Sequence, residues 1–202
     1  MTEATVFIVD DDPAIRDSLS WLIETIGYPV RSYSSAQEFL DAYDPQMPGC
    51  LILDVRLPGM SGLQLQQKMQ ADNINLPVII ISGHGDVPMA VKAMQQGAQV
   101  FLEKPFRDQD LLDNIQEALE TDARNREKDF ASASILSCIE SLTPREKEIM
   151  DLMVAGHPNR EIAEHCGISV KTVEVHRARV MDKMHTKSLP ELVQMVLSLK
   201  AT

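Results

Sequence analysis

Cys50-Leu51-Ile52-Leu53-Asp54-Val55-Arg56-Leu57-Pro58-Gly59-Met60-Ser61-Gly62 is the stretch around which the chain is organised. Leu51, Ile52 and Leu53 predict a short buried strand, because a strand covered on both faces reads as an unbroken apolar run. One carboxylate follows, and then Pro58, Gly59 and Gly62 mark a loop. In an open parallel sheet the carboxyl ends of the strands line the crevice where ligands bind, so Asp54 is expected there. Alone, an aspartate at a strand end is more often a turn former or a helix cap than a reactive group.

Three further strands give Asp54 company. Val6-Phe7-Ile8-Val9 runs into Asp10-Asp11-Asp12, Val78-Ile79-Ile80-Ile81 into Ser82-Gly83-His84-Gly85, and Val100-Phe101-Leu102 into Glu103-Lys104-Pro105-Phe106. Acids, a hydroxyl and a lysine are thereby delivered to one edge of one sheet. Carboxylates so close raise one another's pKa, and a divalent cation removes that cost. Oxygen donors with few nitrogen or sulfur donors nearby suit Mg²⁺.

These four motifs, in this order, resemble the receiver domain of two-component response regulators. The resemblance covers about the first 120 residues and implies a role for each residue. Asp54 matches the phospho-acceptor, whose carboxylate forms an acyl phosphate. Asp11 and Asp54 match the carboxylate ligands of Mg²⁺, with the backbone carbonyl of Arg56 as a third ligand and Asp10 acting through water. Lys104 matches the lysine that pairs with the phosphoryl oxygens. Ser82 matches the switch hydroxyl and Phe101 the switch aromatic. The Lys104-Pro105 bond is expected to be cis.

The 202 residues suffice for two small domains. No apolar run reaches the roughly 18 residues of a membrane span, and the opening residues carry no signal-peptide pattern. Cys50, Cys138 and Cys166 lie far apart, without metal or redox spacing, and read as reduced thiols of a cytoplasmic protein. The net charge is −11 but unevenly spread: residues 1–120 hold 18 acids and 7 bases, whereas 141–202 hold 8 acids and 9 bases. Any affinity for nucleic acid therefore belongs to the C-terminal third.

Between the strands lie helix patterns. Pro13 opens one whose stripe is Ile15, Leu19, Leu22, Ile23 and Ile26, stopped by Gly27. Val30 to Tyr33 is a short strand, and Ser35 with Glu38 reads as a capping box. Ser61, Asp86 and Asp108 are the expected caps of three more helices. Five strand–helix units predict a parallel sheet covered on both faces. Thr121 to Lys128 is almost wholly polar yet rich in helix formers. The domains are thus read as 4–120, a mostly helical linker over 121–137, and 138–202.

In the last segment, Thr143-Pro144-Arg145-Glu146 combines a capping box with proline in the first turn. Asn159 is the expected cap of a short helix, Cys166-Gly167-Ile168 a tight turn, and Ser169 the cap of a helix to about Met184. That is a helix-turn-helix pattern. At 100° per residue, Val173, Val180 and Met184 face the core. The opposite side carries Lys171, Glu174, Val175, Ala178 and Asp182, flanked by Thr172 and Arg179. Two small apolar residues among charges suit a major-groove face, where thymine methyls accept apolar contacts.

Leu142 to Glu146, Asn159 to Ala163 and Thr172 to Arg177 resemble the LuxR-type four-helix DNA-binding domain. Together with Gly83 to Val91 and the receiver motifs, they make the whole chain similar to the FixJ-type response regulators. The resemblance implies a five-stranded, doubly wound, CheY-like α/β receiver joined to an all-α helix-turn-helix domain. It implies DNA contacts from Lys171, Thr172, Glu174, Val175, His176, Ala178, Arg179 and Lys183. Some relatives carry lysine where Glu174 and Ala178 stand, so the resemblance carries over the DNA-binding role but not the operator sequence; a glutamate there could accept from a cytosine amino group. The expected function is a transcription regulator, not an enzyme. A sensor histidine kinase phosphorylates Asp54, and the protein then dimerises on double-stranded DNA, with no membrane role. The rivals are an RNA-binding antiterminator and a Mg²⁺-dependent Asp-nucleophile phosphatase. The latter needs its nucleophile on the first strand and a substrate cap, which the chain lacks.

Overall fold

The computed structural model describes residues 4–83 and 87–199, and the chain divides into two units, Met1–Asn125 and Arg126–Thr202. In the first unit strands and helices alternate: β1 (Thr5–Val9), α1 (Pro13–Thr25), β2 (Val30–Tyr33), α2 (Ala36–Ala42), β3 (Gly49–Asp54), α3 (Gly62–Ala71), β4 (Val78–Ser82), α4 (Val87–Gln95), β5 (Val100–Glu103) and the start of α5 (Asp108–Glu140). All strand pairs are parallel, in the order β2-β1-β3-β4-β5. β3 is therefore central, and Asp54 ends it in register with Ile81.

The period-2 geometry of a strand sends neighbours to opposite faces. Val6 and Ile8, Cys50 and Ile52, and Ile79 and Ile81 build one core with Leu19, Ile23, Leu111 and Ile115. Phe7 and Val9, Leu51 and Leu53, and Val78 and Ile80 build the other with Phe39, Leu65 and Met69. The strand residues are essentially inaccessible, each worth about 1.5–3 kcal/mol on burial. This is why the strands read as continuous apolar runs. Asp12 caps α1, accepting from Ala14 N at 2.9 Å. Ser61 and Gln64 form a reciprocal capping box on α3. Ser35 caps α2, but the Glu38 carboxylate reaches back to Ser34 N and Oγ rather than to Ser35 N, so that box is one residue displaced. Asp86, the expected cap of α4, lies outside the described residues.

Segment 121–137 lies wholly within α5, a single helix of 33 residues. The second unit adds α6 (Pro144–Val154), α7 (Asn159–Cys166), α8 (Val170–Lys183) and α9 (Leu189–Ser198). Their core is built from Ile149, Met153, Ile162, Val173, Val180, Met184 and Leu192, with Leu142 and Val196. Thr143 and Glu146 form the expected capping box. At α7 the expectation needs correction. Asn159 is the first helical residue, and Pro158 is the cap, whose carbonyl accepts from Ile162 N at 3.1 Å. Proline's fixed φ and lack of an N–H suit that entry. Gly167, at φ +66°, closes α7 in the left-handed region, and Ser169 caps α8.

Candidate functional site

At the carboxyl edge of the sheet, Asp10 and Asp54 are almost fully buried, at 1% and 6% exposed. The Lys104 ammonium bridges them, donating to Asp10 Oδ2 at 2.8 Å and to Asp54 Oδ1 at 3.0 Å. Asp54 Oδ2 accepts from Arg56 N at 2.5 Å, and Asp10 Oδ1 from Asp12 N at 2.9 Å. The Asp10 carbonyl takes the Arg16 guanidinium at 2.7 Å. Two carboxylates on adjacent strands and one lysine from the far end of the sheet thus form a single charged cluster.

Burial pushes the Asp54 carboxyl above its usual range. Lys104 and Arg56 N pull it down, and the Asp10 charge pushes with burial; the net direction is up. Burial works to lower the Lys104 pKa, but its hydrogen bonds to both carboxylates outweigh this and hold it raised. The lysine is therefore a fixed cation. A buried carboxylate held above its usual pKa range beside a fixed cation is the kind of perturbed group found at functional sites.

Asp11 and Arg56 are exposed beside the cluster. Among the described residues, no three His, Cys, Asp or Glu side chains converge closely enough to hold a metal by themselves. Mg²⁺ asks for less, since it keeps several waters and binds through one or two carboxylates. The candidate ligand atoms here are oxygens, and the nitrogens in contact with them, the Lys104 ammonium, the Arg16 guanidinium and backbone amides, carry protons and cannot ligate. The set fits Mg²⁺ in its chemistry. Ser82 ends β4 at 1% exposed, and its carbonyl accepts from Lys104 N at 2.8 Å. Phe101 is half-buried on β5 against the core of Leu53 and Ile80. The Lys104-Pro105 bond is cis.

On α8, Lys171, Thr172, Glu174, Val175, Ala178 and Arg179 are all exposed, Val175 at 47%. Val173, Val180 and Met184 are fully buried on the other side. Two expected contacts are placed differently. His176 is half-buried, and its Nδ1 is enclosed without a hydrogen-bond partner. Lys183 turns inward, donating to Glu146 Oε2 at 2.7 Å and to the Ser141 carbonyl at 3.0 Å. Its ammonium pairs with the buried Glu146 carboxylate while the side chain stays 34% exposed. The pairing of Lys183 with Glu146 spans 37 residues and leaves no local signal in the sequence. The other residue missed was Asp122, a buried carboxylate on α5. Its spacing from Ala118 and Leu119, along the buried stripe of α5, was the signal.

The model for the response regulator receiver domain matches residues 6–116, and that for bacterial regulatory proteins of the luxR family matches 140–196. The transcriptional regulatory protein FixJ of Rhizobium meliloti is 45% identical over 200 residues, covering 98% of this chain and 97% of that one. The chain belongs to the FixJ-type response regulators. Nodulation protein W of Bradyrhizobium diazoefficiens is 45% identical over 194 residues, covering 96% of this chain and 86% of its own length. Among solved structures, the response regulator StyR superposes with a TM-score of 0.88 at 40% identity, covering 97% of this chain and 99% of its own. Full-length FixJ from B. japonicum gives 0.60 at 40% identity, with both chains covered completely. As a FixJ-type regulator the protein controls transcription, and its partners are a kinase and DNA. The luxR-family match fits that reading and gives no support to an RNA-binding antiterminator.

Proposed function

We propose that Asp54 is the phospho-acceptor of this regulator, that the reaction uses Mg²⁺, and that the acyl phosphate drives dimerisation and DNA binding. The bridge from Lys104 to both Asp10 and Asp54 carries the proposal. A carboxylate oxygen of Asp54 attacks the phosphorus of a phosphohistidine. The new P–O bond forms as the P–N bond breaks, and the electron pair goes to the ring, which leaves as neutral imidazole because its other nitrogen already carries a proton. Lys104, raised in pKa and already in contact, follows the charge onto the phosphoryl oxygens. Asp10, Asp11, Asp54 and the Arg56 carbonyl would hold Mg²⁺, which supplies charge neutralisation when bound.

Ser82 and Phe101 stand on the two strands beyond Asp54, where a new dianion would be felt. Next to them α4 exposes Val87, Val91 and Met94 at 77%, 49% and 47%. These residues share one side of the helix. Such a stripe favours a second copy of the chain, and the dimer would set two α8 helices on neighbouring half-sites. The protein would work in the cytoplasm as a regulator rather than as an enzyme, with DNA its target. The test is labelling by acetyl phosphate with Mg²⁺, read on a phosphate-affinity gel. Wild type is expected to shift and Asp54→Asn to remain unshifted; a shift of equal size in Asp54→Asn overturns the assignment.

A further inference from the structure

Asp122 is a carboxylate where the helix pattern calls for an apolar side chain. The buried residues of α5 are Leu111, Ile115, Ala118, Leu119 and Asp122. Spacings of three and four make one continuous stripe. Asp122 is 3% exposed, and a carboxylate is almost never buried so deeply without a specific partner. It accepts the Gly49 amide through Oδ2 at 2.9 Å, across 73 residues of chain.

Gly49 opens β3, the strand that ends in Asp54. A side chain at Gly49 would run into the Thr5 carbonyl of β1, so the chain passes too close there for any residue but glycine. The two ends of β3 thus serve different tasks. One presents Asp54, and the other, roughly 16 Å away at about 3.3 Å per residue, is held by α5. Asp122 also lies beyond the segment 6–116 that matches the receiver model. It is the last buried residue before α5 continues, largely exposed, to Glu140. A hydrogen bond at that point fixes the rotation and the rise of the helix, since each residue of slip costs about 100° and 1.5 Å. The Cys50 thiol next door is pushed up to about 12, first by burial and then by the Asp122 charge.

We infer that the hydrogen bond from Gly49 to Asp122 is the latch by which the receiver grips its outgoing helix, and that Asp122 is the positioning residue connecting Asp54 phosphorylation to DNA binding. The inference rests on the phospho-switch proposed above. Without the latch, Asp54 is still phosphorylated, but the helix no longer moves with β3.

The experiment uses the full chain and a DNA fragment recovered by wild-type protein from sheared genomic DNA after acetyl phosphate treatment. Affinity is measured with and without acetyl phosphate, and labelling of Asp54 is followed in parallel. Asp122→Leu fills the stripe with the expected apolar residue but removes the acceptor. It is expected to fold, to label within about twofold of wild type, and to lose most of the phosphorylation-dependent gain, typically 5–150-fold for such a coupling. Asp122→Asn keeps an oxygen for Gly49 and should retain the gain. If Asp122→Leu is unfolded by circular dichroism, Asp122→Ala is read in its place. A variant without the acceptor that keeps the full gain overturns the latch and leaves the phospho-switch standing, as does Asp122→Asn losing as much as Asp122→Leu. A wild-type protein with no gain on phosphorylation overturns the switch and the latch together.

Discussion

Replacing Lys183 by methionine separates a folding role from a DNA-binding one. Glu146 is 3% exposed and holds three partners: the Thr143 amide and hydroxyl of the α6 cap, and the Lys183 ammonium. The Lys183 hydrogen bond first, and the Thr143 amide second, hold its carboxyl at about 2 instead of 4.5. At 1.36 kcal/mol per pKa unit this is worth about 3 kcal/mol. The Lys183 side chain is 34% exposed, so water screens part of its attraction, and Thr143 keeps its share. The expected loss in Lys183→Met is about 2 kcal/mol at pH 7. The folded pKa lies below the unfolded one, so the stabilisation is complete above about 4.5 and is lost as pH falls towards 2. Lys183→Met should therefore show less of the acid sensitivity that wild type shows in that window, the share set by Thr143 remaining. Glu146→Gln should lose less than Lys183→Met, because its amide oxygen still accepts from Thr143 N and no buried charge is stranded. Hydrogen exchange of the α6 and α8 amides in the full chain reads the loss locally, which matters because two units need not unfold together. If Lys183→Met exchanges like wild type but lowers the salt slope of DNA binding by about one, Lys183 serves phosphate and the structural reading fails.

Gly62→Ala should impair both folding and labelling, since a side chain there would collide with the Asp54 carbonyl. A loss of about 1–3 kcal/mol is expected, and unchanged labelling with unchanged stability would count against the close approach. Lys171→Ala should weaken operator and random DNA alike and reduce the salt slope by about one. Val175→Ala should lower operator affinity alone, by about 1 kcal/mol if a thymine methyl is lost; equal effects on both DNAs would move base reading off this face. Light scattering should give a monomer for the untreated protein and a dimer after beryllofluoride. Phe101→Ala should weaken that change without affecting labelling; one mass throughout would reject the dimerisation step.

The sheet was legible because its three inner strands, β1, β3 and β4, are buried on both faces, so Leu51 to Leu53 and Ile79 to Ile81 had to be apolar throughout. The acidic edge was legible because Asp10, Asp54 and Ser82 each directly follow such a run, and Lys104 comes two residues after Val100-Phe101-Leu102. Val173, Val180 and Met184 stood out by helical spacing, which also turned Val175 and Ala178 outward. What escaped was long-range pairing. Nothing local tells that Lys183 reaches Glu146 or that Asp122 reaches Gly49. Both are charges paired inside the fold, one on a helix read as a DNA-facing element and the other in a segment read as a mostly helical linker. Caps failed by single residues where backbone geometry decided, as at Pro158, whose carbonyl does what the Asn159 side chain was expected to do.

The most direct test of the whole account is the affinity of the full chain for its recovered genomic fragment, before and after acetyl phosphate with Mg²⁺, for wild type and for Asp54→Asn. Wild type should bind several-fold more tightly after treatment, within the 5–150-fold range of ordinary coupling, and Asp54→Asn should not respond. An Asp54→Asn protein that gains as much affinity as wild type would contradict the account.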